Sequence, residues 1–411
     1  MEHATTSYPK EKIRILFLEN ISDVAVKNFR QHGYSQVDKI TKALSEDELV
    51  KEIRDVHILG IRSKTLITNN VLQSARKLQA IGCFCIGVNQ VDLLSATRNG
   101  VAVFNAPYSN TRSVAELVIG AAIMLIRRIP DKNKAAHEGV WMKDARGSYE
   151  LRGKTLGIIG YGNIGSQLSV VAEALGMRVM FYDIADKLAL GNARRCETLD
   201  ELLAEAETVS LHVDGRPGNA GLFGAAEFAK MRPRSLFLNL CRGFVVDHEA
   251  LRDHLLSGHL AGAAVDVFAE EPKNVGDRFV SSLQGIPNVI LTPHIGGSTE
   301  EAQQDIGRFV AGKLRDYAAT GASSMSVNLP QVQSDDPRNR CRILHVHHNV
   351  PGVLATVNGV LADFGVNIES QVLSTRGDLG YVVTDVGGHL SPEVIDKLGS
   401  LSETVRLRVV G

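Results

Sequence analysis

Three ionisable residues in the second half of the 411-residue chain each follow a short apolar run and suit acid–base chemistry on a carbonyl group. Arg242 stands in LFLNLCRGFVVD, Glu271 in AAVDVFAEEP and His294 in VILTPHIGGS. A forked guanidinium binds a carboxylate or a polarised carbonyl oxygen. A glutamate beside a histidine keeps the imidazole protonated, ready to give its proton to a carbonyl as a hydride arrives. The trio therefore predicts a catalytic group for hydride transfer.

Each member of this trio also has a structural interpretation that the sequence leaves open. Arg242 fits a solvated turn, Glu271 a surface carboxylate and His294 a satisfied core histidine. A position at the carboxyl end of a strand, where a side chain reaches the crevice of an α/β sheet, favours the catalytic interpretation without establishing it.

A glycine-rich turn, TLGIIGYGNIG at 155–165, predicts a dinucleotide site. Gly160 permits the tight turn, Gly162 lets a pyrophosphate approach backbone N–H groups, and Gly165 packs helix against strand. The next apolar run ends in Asp183, whose carboxylate would accept hydrogen bonds from both ribose hydroxyls of adenosine and repel a 2′-phosphate. A purely structural turn is the alternative for the glycines alone, but strand, helix and acidic strand end together favour NAD as the cofactor.

The bulk composition fits a water-soluble chain of two or three domains. The formal net charge of -1 implies no surface for nucleic acid. The longest apolar run, at 117–126, is too short to span a bilayer, and Ser113 and Glu116 before it predict a capping box at a helix start. Five scattered cysteines lack both a zinc spacing and an even disulfide framework. They predict a reducing, cytoplasmic location and no metal site.

Alternating apolar and amphipathic stretches occupy two zones, 13–104 and 111–297, and predict parallel sheets with flanking helices. A polar segment with two prolines follows at 328–340. The remaining tail is predicted to run strand, helix, strand, strand, helix, strand at 341–348, 352–364, 366–374, 380–386, 391–399 and 403–410. This βαββαβ order is a ferredoxin-like unit that needs a partner surface on one face.

Four motifs, in their order and spacing, resemble the D-isomer-specific 2-hydroxyacid dehydrogenases: GIIGYGNIG, CRGFVVD, DVFAEEP and LTPHIGGST. The runs IGCFCIGVNQVDL and FNAPYSNTRSVAELVIG, with the tail, narrow the resemblance to the serine-sensitive branch that acts on a phosphorylated substrate. The similarity covers nearly all of residues 11–411. It implies NAD-dependent oxidation of D-3-phosphoglycerate to 3-phosphohydroxypyruvate, the first step of L-serine biosynthesis.

The same resemblance implies a Rossmann-type nucleotide domain inserted into a flavodoxin-like substrate domain, followed by an ACT domain. The substrate domain would comprise 1–109 and 298–332, the NAD domain 110–297, a linker 333–339 and the ACT domain 340–411. The early residues would then form one wall of the substrate cleft, and an amphipathic helix at 298–321 would return the chain to them. A homo-oligomer is also implied, a tetramer joined through the nucleotide and ACT domains.

By the resemblance, Arg242 binds the substrate carboxylate and carbonyl, His294 is the acid and base, and Glu271 raises the pKa of His294. The implied cofactor-binding residues lie on the glycine turn, at the adenine ribose, before Arg242 or beside the nicotinamide. They are Gly160, Gly162, Asn163, Ile164, Gly165, Asp183, Leu240, Cys241, Asp266, Gly296 and Gly297.

The implied substrate carries a carboxylate and a phosphate, so its site needs more cationic donors than Arg242 supplies. The resemblance assigns it Arg62, Ser63, Lys64, Asn110, Trp141 and Lys143. Lys64 stands where the family often has arginine, and lysine binds phosphate without a bidentate fork. Trp141 lies in a segment that crosses a subunit boundary in relatives, so dimerisation would complete the site. A solvated basic face is the alternative for these residues.

The stretch HVHHNVPGVLATVNGVLADFGVNI resembles an ACT domain, a small-molecule sensor that pairs edge to edge with a second copy. The implied effector is L-serine, bound between two tails by His347, Asn349 and Asn367, whose polar groups satisfy a zwitterion. A tail used only for assembly is one alternative. A metal site of His345, His347 and His348 is another, although consecutive strand residues face opposite sides.

Two departures from the family pattern lead to further predictions. Cys241 replaces the usual serine, and the adjacent cation predicts a depressed thiol pKa and redox sensitivity, with an inert packed cysteine as the alternative. Asp214 and the glycines of LHVDGRPGNAG predict a looser adenine-side pocket.

Two other functions stay open: a related D-2-hydroxyacid dehydrogenase with an uncharged substrate tail, and a non-catalytic NAD-binding regulator. The catalytic trio argues against the regulator. The cationic residues Arg62, Lys64 and Lys143 argue against an uncharged substrate.

Overall fold

The computed structural model describes residues 8–272, 276–335, 337, 340–388 and 390–411. The chain divides into two compact units, Met1–Pro107 with Gln303–Gly411 and Tyr108–Ala302. The finer division predicted above, with a linker at 333–339, stays a prediction. Three residues of that linker, Asp336, Arg338 and Asn339, lie outside the described residues.

The first unit contains a five-stranded parallel sheet of order β2-β1-β3-β4-β5. Its strands are β1 (Ile15–Phe17), β2 (Val37–Lys39), β3 (Ile58–Ile61), β4 (Ala80–Cys83) and β5 (Ala102–Asn105), with helices α1 (Asp23–Gln31), α2 (Glu46–Glu52), α3 (Asn69–Ser74) and α4 (Leu93–Arg98). Ile15 and Phe17 face one apolar core and Leu16 faces another, so both faces of the sheet are buried. This strand order is the predicted flavodoxin-like one, and its switch point lies between β1 and β3.

The second unit contains a seven-stranded parallel sheet of order β12-β11-β10-β9-β6-β7-β8. Its helices are α5 (Thr111–Ile126), α6 (Ile129–His137), α7 (Asn163–Ala174), α8 (Leu199–Glu205), α9 (Ala225–Lys230) and α10 (His248–Leu256). Its strands are β6 (Thr155–Ile159), β7 (Arg178–Tyr182), β8 (Arg194–Arg195), β9 (Thr208–Leu211), β10 (Ser235–Asn239), β11 (Leu260–Val265) and β12 (Val289–Leu291). This is the predicted doubly wound Rossmann arrangement, with its switch point between β6 and β9.

Helix α5 contains the longest apolar run but does not begin where the sequence indicated. It starts at Thr111 with Asn110 as its N-cap residue, so the predicted capping box is wrong. Ser113 already lies in the first turn, where its hydroxyl bonds the Thr299 hydroxyl at 2.8 Å, and Glu116 pairs with Arg112 instead. In the part of the chain that the structure describes, no helix is long and apolar enough to cross a membrane.

The tail follows helix α11 (Glu300–Thr320) and forms a four-stranded antiparallel sheet of order β14-β15-β13-β16. Its elements are β13 (Cys341–His348), α12 (Val353–Asp363), β14 (Ile368–Arg376), β15 (Leu379–Val386), α13 (Pro392–Gly399) and β16 (Thr404–Val410). The predicted βαββαβ order is therefore confirmed. Helices α12 and α13 cover one face, where Ile343 packs with Val357 and Leu398.

The other face of the tail sheet packs on the first unit's own core. Leu344, Tyr381 and Val383 share one apolar cluster with Phe17 of β1 and Leu314 of α11. The Tyr381 hydroxyl also donates a 2.7 Å hydrogen bond to the carbonyl oxygen of Gly321. The partner surface predicted for this face is thus supplied within the same chain.

A buried ion pair joins two strands on this inner face. The guanidinium of Arg342 on β13 donates to both carboxylate oxygens of Asp385 on β15, at 2.5 and 2.9 Å. Their side chains are only 6% and 10% exposed. A further guanidinium N–H donates to the carbonyl oxygen of Thr320 at 3.1 Å, so the pair also anchors the end of α11.

Replacing Asp385 by alanine is expected to destabilise the protein strongly, because the Arg342 guanidinium would stay buried without its counter-ion. The expected loss in the free energy of unfolding is about 3–5 kcal/mol, measured by urea unfolding followed by circular dichroism. The matched control is Glu369→Ala, which removes the exposed ion pair of Glu369 with Arg340 on the same tail. That control is expected to cost less than about 1 kcal/mol, and equal losses in both variants would contradict the prediction.

Candidate active site

The glycine turn after β6 has the shape that a dinucleotide site requires. Gly160 has φ +92°, and a Cβ there would lie 2.6 Å from the carbonyl oxygen of His212. A Cβ at Gly165 would lie 2.3 Å from the carbonyl oxygen of Gly160, so the first turn of α7 packs on the loop. By contrast, a Cβ at Gly162 would meet no atom within 4 Å. Open space at the N-terminus of α7, where N–H groups are unpaired, fits a pyrophosphate.

Asp183 directly follows β7, next to β6 in the sheet. Its two carboxylate oxygens accept hydrogen bonds from the N–H groups of Tyr161 at 2.7 Å and Ala185 at 2.9 Å. The carboxylate is therefore held beside the glycine turn and keeps lone pairs for a ribose diol. Asn163 and Ile164, two other predicted cofactor residues, form the first turn of α7. The turn, helix start and carboxylate together fit NAD.

The loop after β9 contains hydrogen bonds of its own, and the looser adenine-side pocket predicted from Asp214 and the glycines stays a prediction. The Asp214 carboxylate accepts hydrogen bonds from the Arg216 guanidinium at 2.5 Å and from the Asn219 amide at 2.9 Å. The hydrogen bond from Arg216 also lowers the pKa of Asp214. Asp214 thus ties the loop together.

His294 and Glu271 form a hydrogen-bonded pair, as predicted. The Nδ1 atom of His294 lies 3.0 and 2.9 Å from the two Glu271 carboxylate oxygens. The Glu271 carboxylate also accepts the N–H of Phe268 at 3.1 Å, which fixes its orientation. Because Nδ1 is engaged by Glu271, Nε2 is the ring atom left to exchange a proton with a substrate.

The electrostatics of this pair favour a protonated imidazole. The hydrogen bond to Glu271 raises the pKa of His294, against an opposing effect of burial. For Glu271, burial works to raise the pKa, but the hydrogen bonds from His294 and Phe268 outweigh it and the pKa is lowered. The positive charge of Arg242 acts to lower the pKa of both groups, so Arg242 is near enough to influence the pair.

Asp266 positions the loop that carries His294. This carboxylate is 1% exposed at the end of β11. It accepts hydrogen bonds from the Thr292 hydroxyl at 2.5 Å, from the N–H of Ile295 at 2.9 Å and from the N–H of Gly296 at 2.8 Å. His294 itself has a left-handed backbone with φ 55°, which those contacts on either side hold in place. The predicted role of Asp266 at the nicotinamide stays a prediction.

The Arg242 loop is held by a residue that the sequence analysis missed. Asn239, the fully buried last residue of β10, accepts the N–H of Cys241 at 3.2 Å and donates to the carbonyl oxygen of Arg242 at 3.1 Å. A Cβ at Gly243 would lie 2.0 Å from the carbonyl carbon of Phe268, so this loop packs directly on the segment before Glu271. In the sequence, the feature that could have indicated this role of Asn239 is a polar residue at the end of an apolar run, LFLN.

The redox-sensitive thiol predicted at Cys241 is not supported. Burial raises the pKa of Cys241 to about 11, although the Arg242 charge acts in the opposite direction. The sulfur lies 3.1 Å from the Asn239 side-chain oxygen, to which it donates a hydrogen bond. Desolvation outweighs the adjacent cation, which favours the inert packed cysteine. Leu240 and Cys241 both follow β10, and their role at the cofactor stays a prediction.

The predicted substrate residues fall into three groups. Arg62, Ser63 and Lys64 directly follow β3 in the first unit. In the second unit Asn110 packs against Gly297, where a Cβ would lie 2.3 Å from its amide nitrogen, and its buried oxygen has no hydrogen-bond partner among the described residues. Trp141 and Lys143 lie in an exposed segment after α6, and Trp141 is 85% exposed.

The predicted effector residues do not meet within one tail. His347 and Asn349 lie at the end of β13, where His347 is buried and its Nε2 atom has no partner among the described residues. Asn367 precedes Ile368, which pairs with Val386, and Val386 in turn pairs with Cys341 at the start of β13. A strand rises about 3.3 Å per residue, so the start of β13 lies about 20 Å from His347.

The rival metal site also lacks structural support. His345 and His347 are buried on the helix side of the tail sheet with ring centroids 5.4 Å apart, whereas His348 is exposed. Within the described ranges, no group of three or more His, Cys, Asp or Glu residues is arranged to hold a metal ion.

Two family models match the chain. The model described as D-isomer specific 2-hydroxyacid dehydrogenase, NAD binding domain, matches residues 119–296. The model described as AHAS small subunit-like ACT domain matches residues 343–406. The first match includes the glycine turn and the catalytic trio, and the second covers most of the tail sheet.

Known proteins resemble the chain over its whole length. The D-3-phosphoglycerate dehydrogenase of Dictyostelium discoideum is 48% identical over 99% of both chains. That of Escherichia coli K12 is 48% identical over 99% of this chain and 100% of its own. Saccharomyces cerevisiae D-3-phosphoglycerate dehydrogenase 2 is 48% identical over 97% of this chain and 87% of its own.

Solved structures share the fold. The D-lactate dehydrogenase of Aquifex aeolicus, complexed with NAD and lactic acid, is 23% identical with a TM-score of 0.65, over 74% of this chain and 95% of its own. An NAD-complexed D-isomer specific 2-hydroxyacid dehydrogenase of Lactobacillus delbrueckii ssp. bulgaricus is 24% identical with a TM-score of 0.64, over 74% and 97%. The full-length relatives, the family model, the His294–Glu271 pair and the glycine turn all agree. The chain belongs to the D-isomer specific 2-hydroxyacid dehydrogenases and is an NAD-dependent oxidoreductase.

Proposed function

We propose that the protein oxidises D-3-phosphoglycerate to 3-phosphohydroxypyruvate with NAD, as the first step of L-serine biosynthesis, and that L-serine inhibits it at the tail. The observation that carries the proposal is the His294–Glu271 pair at 2.9 Å, on which the charge of Arg242 also acts. A histidine made more basic by a carboxylate, beside a guanidinium, suits a 2-hydroxyacid whose hydroxyl proton must leave. The substrate class follows the full-length relatives named D-3-phosphoglycerate dehydrogenase.

In the proposed reaction, Nε2 of His294 accepts the proton of the substrate hydroxyl as the C2 hydrogen departs as a hydride. Glu271 stabilises the imidazolium that results, because its carboxylate already bonds Nδ1. Arg242 binds the substrate carboxylate and orients the carbon that becomes a carbonyl. NAD, when bound, supplies the ring that takes up the hydride, and it would be held by the glycine turn, the start of α7 and Asp183.

The phosphate is assigned to cationic residues. Arg62, Ser63 and Lys64 combine two cations and a hydroxyl on one loop at the switch point of the first sheet. Lys143 and Trp141 are assigned to the substrate site through a second subunit, because their segment is exposed in the single chain. The protein is accordingly proposed to be a homo-oligomer, a tetramer joined through the nucleotide and ACT-like parts, and located in the cytoplasm.

The serine site is proposed to form between two tails. Within one chain Asn367 lies at the opposite end of the sheet from His347 and Asn349, so one tail does not bring the three effector residues together. Pairing two copies in opposite orientations is the arrangement that brings Asn367 of one to His347 of the other. The unpartnered Nε2 atom of His347 supplies a polar group that such a ligand would satisfy.

The substrate and effector are tested by following NADH consumption with 3-phosphohydroxypyruvate, with and without L-serine. The same assay with hydroxypyruvate is the matched control, because that compound lacks only the phosphate. Turnover is expected to be much faster with the phosphorylated compound, because the phosphate gains charge-assisted hydrogen bonds, and to fall when serine is added.

Each other result of this assay favours a different function. Equal turnover of both compounds would favour a related D-2-hydroxyacid dehydrogenase. Turnover that is indifferent to serine would leave the tail with a role in assembly alone. No turnover of any 2-keto acid would favour an NAD-binding regulator.

Glu271→Gln is expected to move the pH dependence of the reaction to lower pH. Reduction of the keto acid needs a protonated His294, so kcat/KM falls as the pH rises through the pKa of His294. Glu271 holds that pKa above its ordinary value of about 6.5, and the variant removes the charge responsible. The measurement is kcat/KM for 3-phosphohydroxypyruvate against pH. The neighbouring exposed carboxylate provides the control Glu270→Gln, and an equal shift in both variants would contradict this role for Glu271.

Gly162→Ala is expected to weaken NAD binding without unfolding the protein. The new methyl group meets no protein atom within 4 Å, but it occupies the space assigned to the pyrophosphate. Fluorescence titration with NADH should give a Kd raised severalfold, while the thermal unfolding midpoint stays unchanged. Gly359→Ala on α12 is the control, because its Cβ also meets nothing within 4 Å and it lies outside the cofactor site. An unchanged Kd for Gly162→Ala would remove the pyrophosphate from this turn.

A further inference from the structure

Glu19 is a buried carboxylate that the catalytic mechanism does not use. It lies two residues after the end of β1 and is 7% exposed. Its Oε1 atom accepts the N–H of Arg62 at 3.2 Å and that of Thr65 at 2.9 Å, and its Oε2 atom accepts the N–H of Lys64 at 3.0 Å. Three backbone donors of one loop therefore converge on a single carboxylate.

A second buried side chain holds a carbonyl oxygen of the same loop. The amide of Gln90, 3% exposed, donates a 2.6 Å hydrogen bond to the carbonyl oxygen of Arg62. Glu19 reaches its position through a left-handed backbone, with φ 58°, and the next residue, Asn20, has φ 52°. Such a conformation is unfavourable for residues other than glycine, so the surrounding contacts must enforce it.

The side chains of this loop contrast with its fixed backbone. Among the described residues, neither the Arg62 guanidinium nor the Lys64 ammonium makes an ion pair or a hydrogen bond with another side chain. Elsewhere in the same unit Lys39 and Lys77 are paired with carboxylates at 2.6 Å. The loop thus presents two unpaired cations on a backbone held by hydrogen bonds, which suits an anion carried by a ligand.

The location of the loop also points to a ligand. Glu19 follows β1 and Arg62 follows β3, and these neighbouring strands flank the switch point of the flavodoxin-like sheet. In open α/β sheets, ligands bind outside the carboxyl ends of the strands at this point.

We infer that Glu19 is a positioning residue for the substrate phosphate: its carboxylate holds the 62–65 loop so that the side chains of Arg62, Ser63 and Lys64 are directed at the phosphate. This inference rests on the proposed function. Glu19 does not touch the substrate and acts through the loop.

The chemistry of the side chain explains why a carboxylate is needed. A carboxylate offers two acceptor oxygens and no donor, which matches three converging N–H groups. Glutamine at this position would keep one acceptor oxygen. Its NH₂ group would then face either the N–H of Lys64 or the N–H groups of Arg62 and Thr65. The loop would then shift, and its cations would make weaker charge-assisted hydrogen bonds to the phosphate.

The test compares Glu19→Gln with the wild-type protein on 3-phosphohydroxypyruvate and hydroxypyruvate, with NADH held constant. For the phosphorylated compound KM is expected to rise about ten- to a hundredfold, with kcat changed much less, because binding to the phosphate is weakened. For hydroxypyruvate kcat/KM should stay within about twofold, because that compound makes no phosphate contact. The matched control is Glu207→Gln, which removes a carboxylate that accepts the N–H of Thr155 at 3.1 Å at the amino end of β6.

The outcomes separate this inference from the function on which it rests. A wild-type protein that does not prefer the phosphorylated compound would contradict the proposed function itself. A wild-type preference that persists in Glu19→Gln, or an equal loss with both compounds, would overturn only the role of Glu19. If Glu19→Gln does not fold, Gln90→Leu tests the other support of the same loop, and there too a loss confined to the phosphorylated compound is expected and an equal loss with both would overturn it.

Discussion

A buried polar side chain that accepts the N–H groups of a strand-end loop is the interaction on which the functional loops of both units depend. Asp266 accepts three donors of the loop that carries His294, and Glu19 accepts three donors of the loop that carries Arg62 and Lys64. Asn239 holds the Arg242 loop in a similar way, because it accepts the N–H of Cys241 and donates to the carbonyl oxygen of Arg242. Loops have no ladder partners, so their N–H groups need such acceptors when water is excluded.

Sheet topology decides where these loops occur. In a parallel sheet every strand ends at the same edge, so residues far apart in the chain follow neighbouring strands. Arg242, Asp266 and the His294 loop follow β10, β11 and β12, which are adjacent in the sheet. The fixed backbone then leaves the reacting side chains little freedom, which lowers the entropic cost of orienting a substrate.

Much of this arrangement was predictable because its signals are local. The glycine turn, the acidic residue after β7 and the alternation of the tail each lie within a few tens of residues. The His294–Glu271 pair was predictable from chemistry and family resemblance together. In contrast, the partner of Ser113 is Thr299, 186 positions away, so no local pattern distinguished a tertiary contact from a capping box. The pKa of Cys241 was mispredicted because sequence shows the adjacent cation but not the burial that outweighs it.

The tail sheet illustrates the same limit and has a consequence for assembly. Its strand pattern predicted a need for a covering surface, but not that β1 and α11 would provide it. On β16, the Arg408 guanidinium donates hydrogen bonds to the side chain of Gln79 and to the carbonyl oxygen of Tyr317, so this edge is bonded to the rest of the first unit.

At the opposite edge, β14 bonds only β15 among the described strands, and Val372 and Leu373 on it are 45% and 40% exposed. An edge strand presents a row of unpaired N–H and C=O groups to another chain. Because β16 is bonded to the rest of the first unit, and α12 and α13 cover the outer face, β14 is the edge available to a second tail. It is also the strand that Asn367 precedes, so joining two tails along β14 would place the proposed serine site at their junction.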